Sequence, residues 1–424
     1  MSRDATSEPQ PFGLRAWQQV LVFFAACLAV ASRIPDAVWH AQFWAEDGHV
    51  FFADAYNQGW WRALFSAYNG YFHAVPRLGA ALALAVPLQQ APLVMNLIAI
   101  LIAALPVSLL FSARSAAWGS IGFRALLATS YIALPDMMVI RHGITESQFL
   151  LALGAFLLVV ARPAQSHLGR AFDVVFLLLA GLSGPACIFL LPIAVIVAVK
   201  RAGNWRWAPV ITLALCVAVQ AYGLLILNAS GRPHFALGAR LDMFIRIFGG
   251  NVVFGALLGP NRLAVVPGLT MAAVLFCLTA GGIAFATSCY LLANIEMRLF
   301  LAFAVMILGA SLLSPTVYPF SEPTAWDFLA RAAEIRYWSL PSLAFVWSVL
   351  WCARRGNNPL KIISAVLLVV MVFSIAMFWR QKPFVDLQFG DYAKRFEAAP
   401  AGTVMTIPEN PVGWKMRLVK HDAR

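Results

Sequence analysis

The sequence predicts an all-α polytopic membrane protein with about eleven spanning helices, and three observations carry that reading. Of 424 residues, 61% are hydrophobic and only 12% charged, with a mean hydropathy of +0.76, well above soluble-domain usage. Several stretches run about twenty residues without a charge, enough to cross a hydrocarbon core of roughly 30 Å as a helix. Lys and Arg sit in short turns beside those stretches rather than on one soluble domain.

"WQQVLVFFAACLAVAS" lacks a small-residue cleavage pattern and has little basic charge before it, so 16–34 reads as the first span, not a removed signal. Residues 36–76 form a first outer loop. Within 47–65, Asp47, Asp54, Gln58 and Arg62 share one helical stripe opposite Phe52, Tyr56, Trp60 and Ala63, the pattern of a helix lying in the membrane interface. The stretch 77–112 is too long for one simple helix and contains Pro87, Gln89, Gln90 and Pro92. It reads as a half-helix followed by a span, or as two spans. The single net crossing keeps Arg114 and Arg162 on one side; two would invert the topology up to residue 170.

Further spans fall near 120–136, 145–161, 171–183, 185–199, 208–227, 267–292, 299–314, 337–352 and 361–379. Arg15, Arg114, Arg162 with Arg170, "KRAGNWR", Arg298 and "ARRGNNPLK" mark the cytoplasmic side by the positive-inside bias. The outer face then receives 36–76, 137–147, 228–266 and 315–336, together with the tail. Residues 1–379 thus form a transmembrane domain. Residues 380–424 form a small extended segment, since "VMTIPENPVGWKMRLV" alternates apolar and polar residues and has two prolines.

The net charge of +12 does not indicate nucleic acid, because the basic residues are scattered. Lipid headgroups and anionic lipid-linked substrates are the expected partners. The six cysteines lie in or beside apolar segments without CxxC spacing, so neither a disulfide nor a zinc site is expected. The spans hold almost no ionisable side chains, Asp173 being the clearest exception, which disfavours an ion-coupled transporter.

The ionisable candidates lie in the loops. Glu46 and Asp47 adjoin Trp44 just beyond the first span, where a carboxylate can accept a proton from an alcohol. Adjacent helical residues diverge by about 100°, so both reach one atom only through irregular backbone, for which Gly48 gives licence. Glu146 in "DMMVIRHGITESQ" follows ninety-nine residues later; it is either a second active carboxylate or a cap for the helix after Thr145. Arg141 beside it can bind phosphate or headgroups. His234, Arg240, Arg246 and Arg336 make the later outer loops basic, and a guanidinium grips phosphate through two bonds at once.

These residues resemble the GT-C superfamily of membrane glycosyltransferases: "WAEDG" sets an acidic pair directly after span one, a second outer acid follows, and basic outer loops come later. "LSGPACIFLLP", "IRYWSLPSL" and "IPENPVGWKM" are similar to stretches of bacterial GT-C-like membrane proteins. The resemblance implies a GT-C-like bundle in a bacterial inner membrane, N-terminus cytoplasmic and C-terminus periplasmic. It implies an inverting glycosyltransferase that moves a sugar from a polyprenyl-phosphate donor to an envelope glycan or lipid acceptor. Asp47, with Glu46 as rival, takes the base role, Glu146 that of the second acid. Arg240 and Arg336 lead the donor-phosphate candidates, with Arg141, Arg246 and His234 behind them. Trp44, Tyr71, His73 and Tyr337 are candidates for sugar or acceptor contact. No cofactor is expected, and the missing DxD puts metal binding in doubt. The alternatives are a flippase and a non-catalytic assembly partner for lipid-linked polysaccharide.

Overall fold

The computed structural model describes residues 13–135, 143–227, 235–259, 268–316, 322–331 and 335–422. The chain is mostly helical and membrane-embedded. Among the described residues seven helices are long and apolar enough to cross a membrane: Ala16–Arg33, Leu88–Phe111, Asn204–Leu227, Leu241–Leu258, Met271–Leu292, Ile295–Leu313 and Asn358–Phe378. Shorter apolar helices cover Ala74–Ala83, Ile121–Ala133, Ser147–Val160 and Ala186–Val199.

The stretch 77–112 forms a short helix, Ala74–Ala83, followed by a long one, Ala91–Phe111. Pro92 sits in the first turn of the long helix, where no intrahelical N–H is lost. The segment expected as a loop over 228–266 instead contains the apolar helix Leu241–Leu258. Its Arg246 is exposed, and beyond that residue the helix is uncharged and buries Ile247, Val252 and Val253.

At the centre, Trp118, Phe156, Phe300 and Trp347 form an aromatic cluster with ring spacings of 4.6–6.4 Å. Ser147–Val160 runs through this core; at 14 residues it is about 21 Å long. Beyond its C-terminus the basic turns meet. Arg201 donates to the Val159 and Val160 carbonyls, and Arg114 grips Asp173 through two contacts of 2.8 and 2.6 Å while donating to the Arg162 carbonyl. The helix N-terminus points the other way, toward the acidic loops.

The interfacial helix expected over 47–65 is not continuous. A π-type turn over Asp47–Phe52 leads into Ala53–Gln58, and Gly59, at φ 88°, breaks the chain before Trp60–Leu64. The expected polar stripe is divided accordingly. Asp47 is buried, and Asp54 pairs at 2.6 Å with the buried Arg77 instead of merely solvating the helix. Trp60, Trp61 and Phe65 remain exposed, as an interfacial anchor requires.

The tail is more than extended chain. The helix Phe389–Ala398 turns Phe389, Ala393 and Phe396 inward, and an antiparallel hairpin pairs β1 (Val404–Glu409) with β2 (Trp414–Val419). The tail grips the first loop: Asn410 donates to the Phe43 carbonyl at 3.2 Å, His49 Nδ1 meets the Lys415 carbonyl at 2.7 Å, and Asn57 bonds Arg417 and Val419 backbone, each at 2.9 Å.

Candidate functional site

Two groups of polar residues lie at the N-terminal end of Ser147–Val160. The first centres on Asp47, where Ala45, at φ 49°, and the π-type turn bend the backbone. Asp47 is 1% exposed. Its Oδ2 accepts the Ile144 N–H at 2.9 Å, and its Oδ1 accepts the Thr145 N–H at 2.9 Å and the Thr145 hydroxyl. These bonds pin residues 144–145, the segment that leads into the helix Ser147–Val160. Glu146, for which capping was one expectation, makes no side-chain cap bond.

Beside Asp47 lies a residue that sequence reasoning missed. In β1, Met405, Ile407 and Glu409 alternate inward, which buries the Glu409 carboxyl to 1% exposure against Gly48. A Cβ at Gly48 would collide with the Glu409 carboxyl and stand 2.9 Å from the Phe43 Cβ, so the bare glycine lets the tail carboxyl and Phe43 approach closely. Among the described residues no hydrogen bond of good geometry reaches either Glu409 oxygen. Burial, reinforced by Asp47 and Glu46 and partly offset by the His49 amide, pushes the Glu409 pKa up to about 9. Burial likewise pushes Asp47 up to about 7, against the Thr145 and Ile144 hydrogen bonds. Glu46 is half-buried.

The second group is built on Glu146. Its Oε1 meets Arg336 Nη1 at 3.1 Å, with the glutamate side chain 5% and the arginine 23% exposed. Arg336 also donates to the Thr316 carbonyl at 3.4 Å and lies over the Tyr337 ring at 5.3 Å. A cavity of about 110 Å³ opens alongside, lined by Tyr71, Gln148, Thr316 and Tyr337 with apolar walls from Phe189 and Ile307. Burial pushes the Tyr71 phenol up to about 12; Tyr337 and Glu146 add to the rise, while Arg336 and Gln148 oppose it. Six polar residues from four stretches, Tyr71, Glu146 with Gln148, Thr316, and Arg336 with Tyr337, therefore converge. Chemically the group can hold an anionic oxygen on Arg336 and accept a proton on Glu146.

Behind this cavity His73 is 2% exposed, with its ring 4.5 Å from Tyr71 and 5.2 Å from Phe51, so it contacts no open space. Burial, then Arg77, lowers its pKa to about 3, which keeps the imidazole neutral. Trp44 stands apart, its ring 5.8 Å from Phe384 in the tail. Arg240 is half-exposed and pairs with Asp242 and Asp327; among the described residues no contact joins it or Arg246 to Glu146. Arg141 and His234 lie outside the described residues.

A larger cavity of about 620 Å³ lies on the opposite face of Ile295–Leu313, lined by apolar residues including Phe248, Ile283, Val305, Leu308 and Phe345. Among the described residues no group of three or more His, Cys, Asp or Glu side chains could hold a metal ion. No family model, curated protein or solved structure matches the chain.

Proposed function

We propose that the chain is an inverting glycosyltransferase with a GT-C-like bundle of about eleven crossings, set in a bacterial inner membrane with a cytoplasmic N-terminus and a periplasmic tail. It transfers a sugar from a polyprenyl-phosphate donor to an envelope glycan or lipid acceptor at the outer face. The observation that supports this is the convergence of Glu146, Arg336, Tyr71 and Tyr337 at one end of Ser147–Val160, with the basic turns beyond the other.

In this reaction the acceptor oxygen forms a bond to the anomeric carbon while the carbon–oxygen bond to phosphate breaks. Glu146 takes the hydroxyl proton, and Arg336 compensates the charge on the departing polyprenyl phosphate. We assign the base role expected for Asp47 to Glu146, because three hydrogen bonds occupy both Asp47 oxygens, whereas the Glu146–Arg336 pair lies beside the 110 Å³ cavity. Asp47 becomes a positioning residue that fixes Ile144 and Thr145 and through them Glu146. The 620 Å³ apolar cavity suits an isoprenoid tail.

The test is transfer of label from radiolabelled polyprenyl-phosphate sugars in proteoliposomes. Glu146→Gln is expected to lower turnover by about 10²–10⁴-fold. Retained turnover in that variant refutes the assignment. Absence of transfer with every donor, while labelled lipid still crosses the bilayer, marks a flippase instead.

A further inference from the structure

A third cavity, of about 700 Å³, opens at the same end of the molecule between the segment after the first span, the turn at 87–93 and the start of the tail. Its lining differs in kind from the other two. Asp36, Asp386, Gln42, Gln89 and Gln90 supply carboxylates and carboxamides; among the described residues His40, 3.5 Å from Asp36, is its basic side chain, and no Lys or Arg lines it. Trp39, on its edge, is 78% exposed.

Some of these groups also hold the walls together. Asp36 accepts the Phe384 N–H at 2.9 Å, and Gln42 Oε1 accepts from Asn410 at 3.1 Å. Others are uncommitted: among the described residues, no hydrogen bond occupies the Gln89 or Gln90 side-chain amide or the Trp39 indole, although the Gln90 backbone N–H donates to the Pro87 carbonyl. A carboxamide offers donor and acceptor in one plane, which matches neighbouring hydroxyls, and an exposed indole offers a flat apolar face. Sugars present both complements at once. A phosphate or other anion would meet two carboxylates, with only His40, already beside Asp36, to set against them, so this cavity does not serve the phosphate-linked donor.

We propose that this groove binds an uncharged or amine-bearing oligosaccharide, stacked on Trp39 and hydrogen-bonded by Gln89 and Gln90. The volume lies within the ~300–1,000 Å³ of ordinary ligand sites. That the bound glycan is the acceptor of transfer rests on the preceding reading; the groove itself does not.

The test is saturation-transfer NMR on the full chain in nanodiscs, with maltotetraose, chitotetraose and the deacetylated glucosamine tetramer as probes and a galacturonate tetramer as anionic control. At least one of the three probes is expected to bind. Trp39→Ala combined with Gln90→Ala should weaken binding about tenfold or more at an unchanged melting temperature. No binding at millimolar concentration, binding of the anionic control alone, or binding indifferent to the double substitution would overturn the proposal. The last result would leave Trp39 as a membrane-interface anchor only. Because the readout is binding, it separates the two readings. Binding without transfer removes only the acceptor role, and transfer without binding removes only the groove.

Discussion

Replacing Glu409 by Gln should tighten the hold of the tail on the first loop. The buried carboxyl has its pKa raised from 4.5 to about 9, so it stays protonated when docked and ionises when released. Stability is therefore full below about pH 4.5, declines as pH rises, and levels off above about 9. At 1.36 kcal/mol per unit, the loss by pH 7 is about 3 kcal/mol, and a further ~3 kcal/mol disappears between pH 7 and 9. Docking survives because Phe389, Phe396, Ile407, Met416 and Leu418, all at most 4% exposed, each contribute about 1.5–3 kcal/mol. Gln has the same shape and no charge to release. The assay is hydrogen exchange of the 404–419 amides from pH 7 to 9, a window above the titration of Asp47 at about 7. The opening free energy should fall by ~1.4 kcal/mol per pH unit in the native chain and stay level in Glu409→Gln. Equal slopes, or easier opening in the variant, would refute the reasoning.

Asp47→Asn replaces one of the two acceptor oxygens with an NH2 that faces an N–H or O–H donor and should lower stability by about 1–3 kcal/mol along with turnover, whereas Glu146→Gln keeps an acceptor for Arg336, loses only the charge of the pair, and should lower turnover far more than stability. Melting and transfer measured on both variants separate positioning from catalysis. Gly48→Ala drives a methyl into the Glu409 carboxyl and to 2.9 Å from the Phe43 side chain, so the tail should become a substrate for limited proteolysis. Asp54→Ala leaves the buried Arg77 without its carboxylate and should destabilise by about 3–5 kcal/mol. In a thermal double-mutant cycle, the added Arg77→Met should recover a large part of that loss.

Hydropathy located six of the seven span-length helices of the described residues, because a bilayer demands an uninterrupted apolar stretch of each. The helix over Leu241–Leu258 was obscured by Arg240, Asp242 and Arg246, which sit at its start and made a loop seem the cheaper reading. Glu146 and Arg336 were legible as single residues, since a charge in so apolar a chain stands out. Their pairing was not, because it spans 190 residues. Glu409 had a signal: the alternation through 404–409 put a carboxylate where an apolar side chain belongs. Its partner, Gly48, lies in a segment whose π-type turn no periodicity foretells. The prolines at 408 and 411 argued for extended chain and drew attention away from Phe389, Ala393 and Phe396, whose spacing marks a helix face.

The tail follows all seven span-length helices of the described residues in chain order, yet it supplies the wall against Gly48 and the bonds to Phe43, His49 and Asn57. Insertion and maturation are therefore separate events. A nascent chain can be fully threaded through the bilayer while its first loop still lacks a partner, with the Gly48 surface open to water. Completion waits on the arrival of residues 380–419, so the order of synthesis itself delays this docking until the helices before them have been made.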